Sequence, residues 1–349
     1  MAAAQSAKKR RVLIVGAGGI GRRHIRGYLA TGRARVSIVE PDAARRAAVA
    51  REFSVESAFA SLDDAGASRH DLAVICAPAH LHVPMMRACA AAGLPFLVEK
   101  PLAVTLDGVD AALEAVAAAG VLARVGYIRR IAPEVIALRE QIAAGKIGTV
   151  KLAYLNASQE FPRYRPDYRE TYYSRPEMGG GAILDAASHS FDLLIALMGR
   201  PTTVGGMYDR LVLEGSRTED TCLVNIRFES GAMANLTINQ FQKRNAATAE
   251  FIGTEGNLRL DHATLSFTND DSGHWSESRD YMEGMVPMEA HQARFTLQAR
   301  AMLDALDGAP CPLATLDEAR LNLALALAAK RSWAERRFVD VADPSEAAA

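Results

Sequence analysis

The stretch VLIVGAGGIG at residues 12–21 decides the fold of this chain. Four apolar residues, typical of a buried strand, run into a G-x-G-x-x-G turn, and a segment of helical character follows. In such a turn Gly16 permits the tight bend, Gly18 lets the backbone approach a pyrophosphate, and Gly21 lets the helix pack closely on its strand. The N–H groups at the start of the helix then face the phosphates. The stretch therefore predicts a dinucleotide-binding turn.

The strand that follows strengthens this prediction. Residues 35–39 read as a second strand and end at Glu40, which lies 19 residues beyond the last glycine of the turn. A carboxylate at about this spacing accepts hydrogen bonds from the adenosine ribose and repels a 2′-phosphate, so NAD is preferred over NADP. Glu40 could instead cap the helix that begins near residues 41–42. Arg45 and Arg46 follow closely and could contact a 2′-phosphate, which leaves NADP possible.

Length and charge limit the classes of protein. A chain of 349 residues, 49% of them hydrophobic, is long enough for about two domains with their own cores. The formal net charge of −1 gives no basic field for a nucleic acid. The basic run at residues 8–11 could begin a nucleic-acid arm, but a solvated terminus is the simpler interpretation. We therefore expect no nucleic-acid partner.

The cysteines and the apolar stretches indicate a cellular setting. The four cysteines are far apart and form no C-x-x-C pair, so the sequence predicts neither a disulfide framework nor a thiolate metal site. Residues 1–10 have no apolar segment of the kind that a secretion signal carries, and no stretch approaches the length of a membrane span. We expect a cytoplasmic protein without a membrane partner.

The hydrophobic pattern predicts an α/β fold with two domains. Over residues 10–125, strand-like runs alternate with Ala-rich helical stretches, which indicates a Rossmann domain with a doubly wound parallel sheet. The expected strands cover residues 11–15, 35–39, 72–76, 95–98 and 122–126. The expected helices cover residues 20–31, 42–52, 82–92 and 107–119.

Beyond residue 125 the pattern changes. Strand-like runs joined by short turns predict an α+β domain over residues 126–340, with a large, open, mostly antiparallel sheet. The expected strands cover residues 149–157, 202–212, 220–228, 232–240 and 248–253. The expected helices cover residues 133–144, 182–197 and 315–334, and the last of them is expected to pack back on the first domain.

The tripeptide Glu99-Lys100-Pro101 follows a predicted strand of the first domain. It therefore lies at the carboxyl edge of the sheet, where ligands of doubly wound folds bind. A lysine at this edge either faces a ligand or is an ordinary exposed loop residue. Pro101 also makes a cis peptide bond with Lys100 possible.

A second polar group follows a run of glycines at residues 179–181. On a continuous helix Asp185, His189 and Asp192 stand at i, i+4 and i+7 and share one face. A histidine flanked by carboxylates suits a general base, although Asp185 could simply stabilise a helix start. An Asp/His pair can also bind a metal, but the sequence shows no third ligand, so no metal is expected.

In their order and spacing, these motifs identify the chain as a member of the glucose-fructose oxidoreductase/inositol dehydrogenase (Gfo/Idh/MocA) family. The resemblance covers nearly everything from residue 10 to 340. The matching residues are the glycine turn with His24, Ala77-Pro78 with His82, Glu99-Lys100-Pro101-Leu102, Arg130 with Pro133, Gly145-x-Ile147-Gly148, the group at residues 179–192, and Ile252-Gly253-Thr254-Glu255-Gly256.

The resemblance implies hydride transfer between a nicotinamide cofactor and a hydroxyl of a sugar, polyol or sugar acid. It assigns catalytic positions to Lys100, Asp185 and His189, with His189 accepting the hydroxyl proton and Lys100 stabilising the reacting oxygen. It also implies a homo-oligomer, a dimer or a tetramer, formed through the C-terminal sheet. The residues expected to bind the cofactor are Gly16, Gly18, Gly19, Ile20, Gly21, Glu40, Ala77, Pro78, His82, Glu99 and Lys100.

The segment at residues 161–173 is rich in arginine and tyrosine and precedes the glycine run. Arginines can hold a carboxylate or phosphate through two hydrogen bonds, and tyrosines can stack on a sugar. The same composition also marks loops at protein interfaces. The residues expected to bind substrate are Arg129, Arg165, Tyr168 and Arg169, together with Asp185 and His189.

Two other functions are compatible with the fold. One is a regulatory protein that senses NAD without turnover, and the other is a glycosidase that uses tightly held NAD to oxidise its sugar transiently. A sensor has no need of a proton acceptor, so the presence of Lys100, Asp185 and His189 favours the dehydrogenase.

Overall fold

The structure is a computed structural model that describes residues 9–272 and 274–341. The chain forms two compact units. The first contains the chain up to Leu102, Asp107–Ile131 and Met285–Leu316, and the second contains Ala103–Leu106, Ala132–Gly284 and the chain from Asp317 onward. The sequence predicted a single boundary at residue 125. The structure instead groups a later segment, residues 285–316, with the first unit.

The first unit contains a parallel sheet of six strands. Its strands are β1 Arg10–Val15, β2 Ala34–Val39, β3 Ser57–Phe59, β4 Leu72–Ile75, β5 Phe96–Val98 and β6 Ala123–Val125. Their order is β3-β2-β1-β4-β5-β6, and all pairs are parallel. The order reverses between β1 and β4, which is where doubly wound sheets bind their ligands. The predicted Rossmann fold is confirmed.

Helices connect and flank the strands of both units. In chain order the α-helices are α1 Gly19–Ala30, α2 Ala43–Phe53, α3 Leu62–Ala65, α4 His82–Ala91, α5 Val109–Ala119, α6 Pro133–Ala143, α7 Phe161–Tyr164, α8 Ser188–Met198, α9 Pro287–Leu306 and α10 Leu316–Glu335. Shorter 3₁₀ turns cover Ala67–Arg69, Ala79–Leu81, Ile128–Ile131, Tyr172–Ser174 and Pro176–Met178, and a π-helical turn covers Ala182–Ala187.

The second unit contains a sheet of nine strands. They are β7 Val150–Asn156, β8 Pro201–Asp209, β9 Thr221–Phe228, β10 Met233–Asn239, β11 Thr248–Gly253, β12 Asn257–Asp261, β13 Thr264–Thr268, β14 Glu277–Asp280 and β15 Val339–Asp340. The order is β14-β13-β12-β11-β7-β10-β9-β8-β15, in which β7 and β10 are parallel and the other neighbours antiparallel. The predicted, mostly antiparallel sheet is confirmed.

One predicted strand ends early for a local reason. The strand expected at residues 202–212 ends at Asp209, because the buried carboxylate of Asp220 accepts the N–H groups of Leu211, Val212 and Leu213 and turns the chain. The strands and helices that were not predicted from the sequence are β3, β12, β13, β14, β15, α3, α7 and α9.

Helix α9 belongs to the first unit and packs against α1. A Cβ atom at Gly27 of α1 would lie 2.8 Å from the Phe295 carbonyl oxygen, so glycine permits the close approach of the two helices. The helix expected at residues 315–334 forms as α10, and the structure groups it with the second unit from Asp317 onward.

One segment contradicts the expectation that no stretch approaches a membrane span. By length and composition alone, Pro176–Met198 is long and apolar enough to cross a bilayer. In the structure 78% of its most apolar window is buried inside the protein, as in the core helix of a globular domain.

Candidate active site

The glycine turn after β1 leaves room for a ligand. Gly16 has φ of +97°, and a Cβ atom there would lie 2.8 Å from the Cys76 carbonyl oxygen, so only glycine fits without strain. A Cβ atom at Gly21 would collide with the Gly16 carbonyl, whereas one at Gly18 would meet no atom within 4 Å. Helix α1 has no side-chain cap at its N-terminus. Its first N–H groups therefore suit a pyrophosphate.

Glu40 lies directly beside this turn. Its buried carboxylate accepts the N–H of Ala17 at 3.1 Å through Oε2 and the N–H of Asp42 at 3.1 Å through Oε1. Asp42, and not Glu40, caps α2, because its Oδ1 accepts the N–H of Arg45 at 2.6 Å. The Arg45 guanidinium lies 3.2 Å from Glu40 Oε1, and Arg46 donates to the Glu40 carbonyl at 2.6 Å. One carboxylate and two guanidinium groups thus lie close together at the end of β2.

His82 ties two loops together at the carboxyl edge of the parallel sheet. Its ring is buried, with Nδ1 3.0 Å from the Pro101 carbonyl and Nε2 2.8 Å from the Ala77 carbonyl. Burial lowers the pKa of His82 below its ordinary value. Since both ring nitrogens face the protein backbone, the geometry indicates that His82 positions the loops after β4 and β5. Ala77 is half-buried and Pro78 exposed at this edge.

Lys100 follows β5 at the same edge of the sheet. The peptide bond between Lys100 and Pro101 is cis, as the sequence allowed. The Lys100 side chain is half-buried, and its backbone N–H donates to Oε2 of Glu99 at 3.1 Å. The predicted place of Lys100 in the fold is therefore confirmed, whereas its catalytic role stays a prediction.

In the second unit, the glycine run ends in the π-helical turn before α8. Asp185 lies in this turn and His189 lies in the first turn of α8, and both are half-buried. Asp192 is buried in the α-helix, at 1% exposure. The expected continuous α-helix over these residues is therefore wrong, because Ala182–Ala187 form a π turn with a different rotation per residue. Asp185 and His189 are the two accessible members of the group.

Two residues far away in sequence hold the π turn in place. Glu219 accepts the N–H of Ile183 through Oε1 at 3.1 Å, and its carbonyl accepts the N–H of Ala182 at 2.9 Å. Lys330 of α10 lies 3.2 Å from the Glu219 carboxylate. Gly181, with φ of +102°, lies so close to this carboxylate that a Cβ atom would be 2.7 Å from Oε1. Sequence reasoning missed Glu219 and Lys330, since neither belongs to a local motif.

The loop at residues 161–173 supplies one further contact to this site. The Tyr172 hydroxyl donates to Asp185 Oδ1 at 3.1 Å, an interaction that the sequence analysis did not identify. Tyr168 is buried, and its hydroxyl donates to the Glu214 carbonyl at 2.7 Å; Arg169 donates to the same carbonyl at 2.8 Å. These contacts support the structural alternative for Tyr168 and Arg169. Arg165 is exposed on the loop.

Arg129 lies half-buried in the 3₁₀ turn Ile128–Ile131 of the first unit. Within residues 9–272 and 274–341, no group of three or more His, Cys, Asp or Glu side chains is arranged to hold a metal ion. The basic run at residues 8–11 begins with Lys8, which lies outside the described residues.

Comparison with known proteins identifies the family of this chain. The profile of the oxidoreductase family with an NAD-binding Rossmann fold matches residues 10–127, and the profile of the Gfo/Idh/MocA C-terminal domain matches residues 135–259. Inositol 2-dehydrogenase of Corynebacterium glutamicum is 33% identical over 70% of this chain and 72% of its own. A scyllo-inositol 2-dehydrogenase (NAD(+)) of Bacillus subtilis is 26% identical over 93% of this chain and 94% of its own.

A solved structure shares the fold over nearly the whole chain. Levoglucosan dehydrogenase, in complex with NADH and levoglucosan, has a TM-score of 0.83 at 22% identity and covers 96% of this chain and 100% of its own. The profiles and the inositol 2-dehydrogenase confirm the resemblance seen in the motifs. The chain therefore belongs to the Gfo/Idh/MocA family of oxidoreductases, and its residues 10–127 form the NAD-binding Rossmann domain of that family.

Proposed function

We propose that the protein oxidises a CH–OH group of a sugar, polyol or sugar acid by hydride transfer to NAD, or reduces the matching carbonyl in reverse. The observation that carries the proposal is the position of Lys100 at the carboxyl edge of the parallel sheet, in the unit whose open glycine turn suits a dinucleotide. The names of the relatives, which include inositol dehydrogenases and a levoglucosan dehydrogenase, support this substrate class.

In the proposed reaction, three side chains each have a role. His189 accepts the hydroxyl proton while the hydrogen on the same carbon leaves with its electron pair, so that the C–O bond becomes a carbonyl. Lys100 donates a hydrogen bond to the reacting oxygen and stabilises the negative charge that develops there. Asp185 accepts a hydrogen bond from the substrate and orients it, while Tyr172 holds one of its oxygens. The nicotinamide supplies the hydride acceptor when it is bound.

Glu40 supports NAD as the cofactor. Its carboxylate stands at the end of β2, where a ribose binds in this fold, and its negative charge opposes a 2′-phosphate. Arg45 already lies on that carboxylate and Arg46 on the Glu40 carbonyl, so both guanidinium groups are engaged with the acid. Replacing Glu40 by alanine would leave both arginines near the ribose. We expect Glu40→Ala to weaken NAD binding and strengthen NADP binding, measured by calorimetry.

The sheet of the second unit supports the proposed homo-oligomer. Large apolar side chains on the outward face of four neighbouring strands, Tyr154, Met207, Leu223 and Met233, are 39% to 50% exposed in the single chain. A second copy of this chain would bury them, since such apolar patches mark interfaces. Light scattering should give a dimer or tetramer, and Leu223→Lys should shift it to monomer. The four cysteines are free thiols, which supports a cytoplasmic setting.

The test of the proposed function begins with calorimetric binding of NAD and NADP. A screen then follows nicotinamide absorbance with polyols, aldoses, uronic acids and nucleotide sugars. NADH formation with one class of substrate supports the proposal. A preference for uronic acids or nucleotide sugars would support the binding of their carboxylate or phosphate groups by Arg129 or Arg165. Tight NAD binding without product across the panel would contradict it and favour a sensor or a glycosidase.

A further inference from the structure

His24 has no part in the proposed reaction. Glu99 is expected from the resemblance to bind the cofactor, but both of its carboxylate oxygens contact protein groups instead. His24 stands three residues beyond the glycine turn, on α1, and Glu99 stands directly before Lys100. The structure buries the two side chains together, at 1% exposure for His24 and 8% for Glu99. Burying ionisable groups is costly unless they are paired, so a buried pair at the edge of the site calls for a reason.

The pair is connected to the backbone of Lys100. His24 Nε2 lies 2.7 Å from Glu99 Oε1, while Glu99 Oε2 accepts the backbone N–H of Lys100 at 3.1 Å. Each carboxylate oxygen thus has a different partner, one on α1 and one in the catalytic loop. The main chain of Lys100 is therefore tied, through one carboxylate, to the helix that begins at the glycine turn.

The surroundings hold the pair in this arrangement. A Cβ atom at residue 126 would lie 2.8 Å from Glu99 Oε1, so Gly126 provides the space that the carboxylate occupies. The His24 ring packs edge-on against Phe295 of α9, with ring centroids 5.0 Å apart and planes at 90°. Nδ1 of His24 has no hydrogen-bond partner among the described residues. Nε2 therefore carries the polar contact of this ring, and the packing leaves the ring little freedom to turn away.

We propose that His24 and Glu99 are positioning residues, which fix the backbone of Lys100 relative to the helix that binds the cofactor. The proposal rests on the proposed function, because it presumes that Lys100 acts on the reacting oxygen. Lys100 can do this only if its ammonium stands at hydrogen-bond distance from that oxygen when the nicotinamide is in place. The pair links the position of Lys100 to the position of the cofactor. Helix α1 begins where the pyrophosphate is expected, and Glu99 holds the backbone of Lys100.

The test measures the Lys100 amide directly and needs no substrate. The chain has seven lysines, so protein labelled with ¹⁵N-lysine gives few amide signals, and Lys100→Arg identifies the one in question. The double variant His24→Met/Glu99→Met removes the acceptor without leaving an unpaired buried charge, so it should fold. Its Lys100 amide should exchange about tenfold faster than in the wild type, because it has lost its hydrogen bond.

Kinetics and matched variants complete the design. With NAD and the substrate found in the screen, the double variant should lose about 10- to 100-fold in kcat while KM and the affinity for NAD change less than threefold. Glu99→Gln keeps an oxygen for the Lys100 amide and should restore most of the exchange protection. Glu52→Gln, which alters the exposed ion pairs of Glu52 on α2 with Arg22 and Arg26 on α1, should change neither quantity.

An unchanged Lys100 exchange rate in the double variant would overturn the proposal, as would a loss of NAD affinity equal to the loss of kcat. Failure of the proposed function has a different signature. If Lys100→Met turned over the substrate normally, the lysine would have no catalytic role, whatever the exchange rate of its amide.

Discussion

Two glycine-rich segments each lead into a helix in this molecule, and they serve opposite purposes. After β1 the helix α1 has no side-chain cap, and space is open beside Gly18. Before α8 the N–H groups of Ala182 and Ile183 are already taken by Glu219. The first segment offers its backbone to a ligand, whereas the second satisfies its backbone internally and presents side chains. Capping of the backbone N–H groups, and not glycine content, therefore distinguishes the two segments.

Removing the chemical groups should have the largest effect. Lys100→Met and His189→Asn should each lower kcat by about 10³-fold or more, because the first removes charge stabilisation and the second the proton acceptor. The affinity for NAD should stay within threefold in both variants, as calorimetry and absorbance kinetics would show. A variant that retained near-normal kcat would contradict the assignment of its residue.

Exchanging glycine for valine in the two segments sharpens the comparison. A side chain at Gly21 would collide with the Gly16 carbonyl and distort the turn that faces the pyrophosphate, so Gly21→Val should weaken NAD binding by about 100-fold. Gly180→Val is the matched variant, since a side chain there would collide with the Tyr172 and Tyr173 carbonyls. It should reduce kcat and leave NAD binding intact. Equal losses of NAD affinity would remove the distinction between the segments.

A smaller effect is expected at the rim of the second segment. Tyr172→Phe removes the hydroxyl that donates to Asp185 Oδ1, so Asp185 should orient the substrate less well. We expect KM to rise about three- to tenfold, the effect of one lost hydrogen bond, with NAD affinity unchanged. Tyr164→Phe, on the exposed part of the same loop, is the control and should behave like the wild type. An unchanged KM in Tyr172→Phe would exclude this role.

The smallest effect concerns pH and the first unit alone. Burial lowers the pKa of His82 in the folded state, so the unfolded chain takes up a proton first as pH falls. The stabilisation is therefore complete above the ordinary pKa of about 6.5 and is lost as pH falls from there toward the lowered value. His82→Gln should lose less stability than the wild type between about pH 7 and 5, measured by thermal unfolding.

His70 is the control for this pH effect, because partial burial lowers its pKa as well. Its ring is only half-buried, and Nδ1 lies 3.3 Å from the Gly66 carbonyl. His70→Gln should therefore alter the pH dependence less than His82→Gln. An equal effect of the two variants would show that the burial of His82 contributes no more to the pH dependence of stability than the burial of His70.

The first segment could be predicted from sequence because its contacts are local. The spacing of Gly16, Gly18 and Gly21 and the distance to Glu40 are sequence properties, and the structure places these residues together as expected. The features that could not be predicted depend on contacts between residues far apart in sequence. Nothing near Gly27 in sequence indicates that α9 packs against it, and nothing near Asp185 indicates that Glu219 holds the π turn.

Tyr168 shows the converse limit. Its neighbours in sequence are charged and polar, which suggested an exposed residue that binds the substrate. The side chain instead packs with Phe161, Tyr173 and Leu213. Composition predicts which residues can bind a sugar or an anion, but only packing decides which of them remain available. Arg165 and Arg169 are both exposed, and each donates to a backbone carbonyl, that of Tyr164 at 3.4 Å and that of Glu214 at 2.8 Å.

The central claim is that a carbinol hydrogen passes directly to NAD, and one measurement tests it most directly. The protein would be incubated with NAD and the best substrate of the screen, deuterated at the carbinol carbon, and the released nucleotide analysed by mass spectrometry. We predict that deuterium appears in free reduced nucleotide in an amount equal to the carbonyl product. Reduced nucleotide without deuterium, or deuterium that returns to the sugar with no net product, would contradict the account.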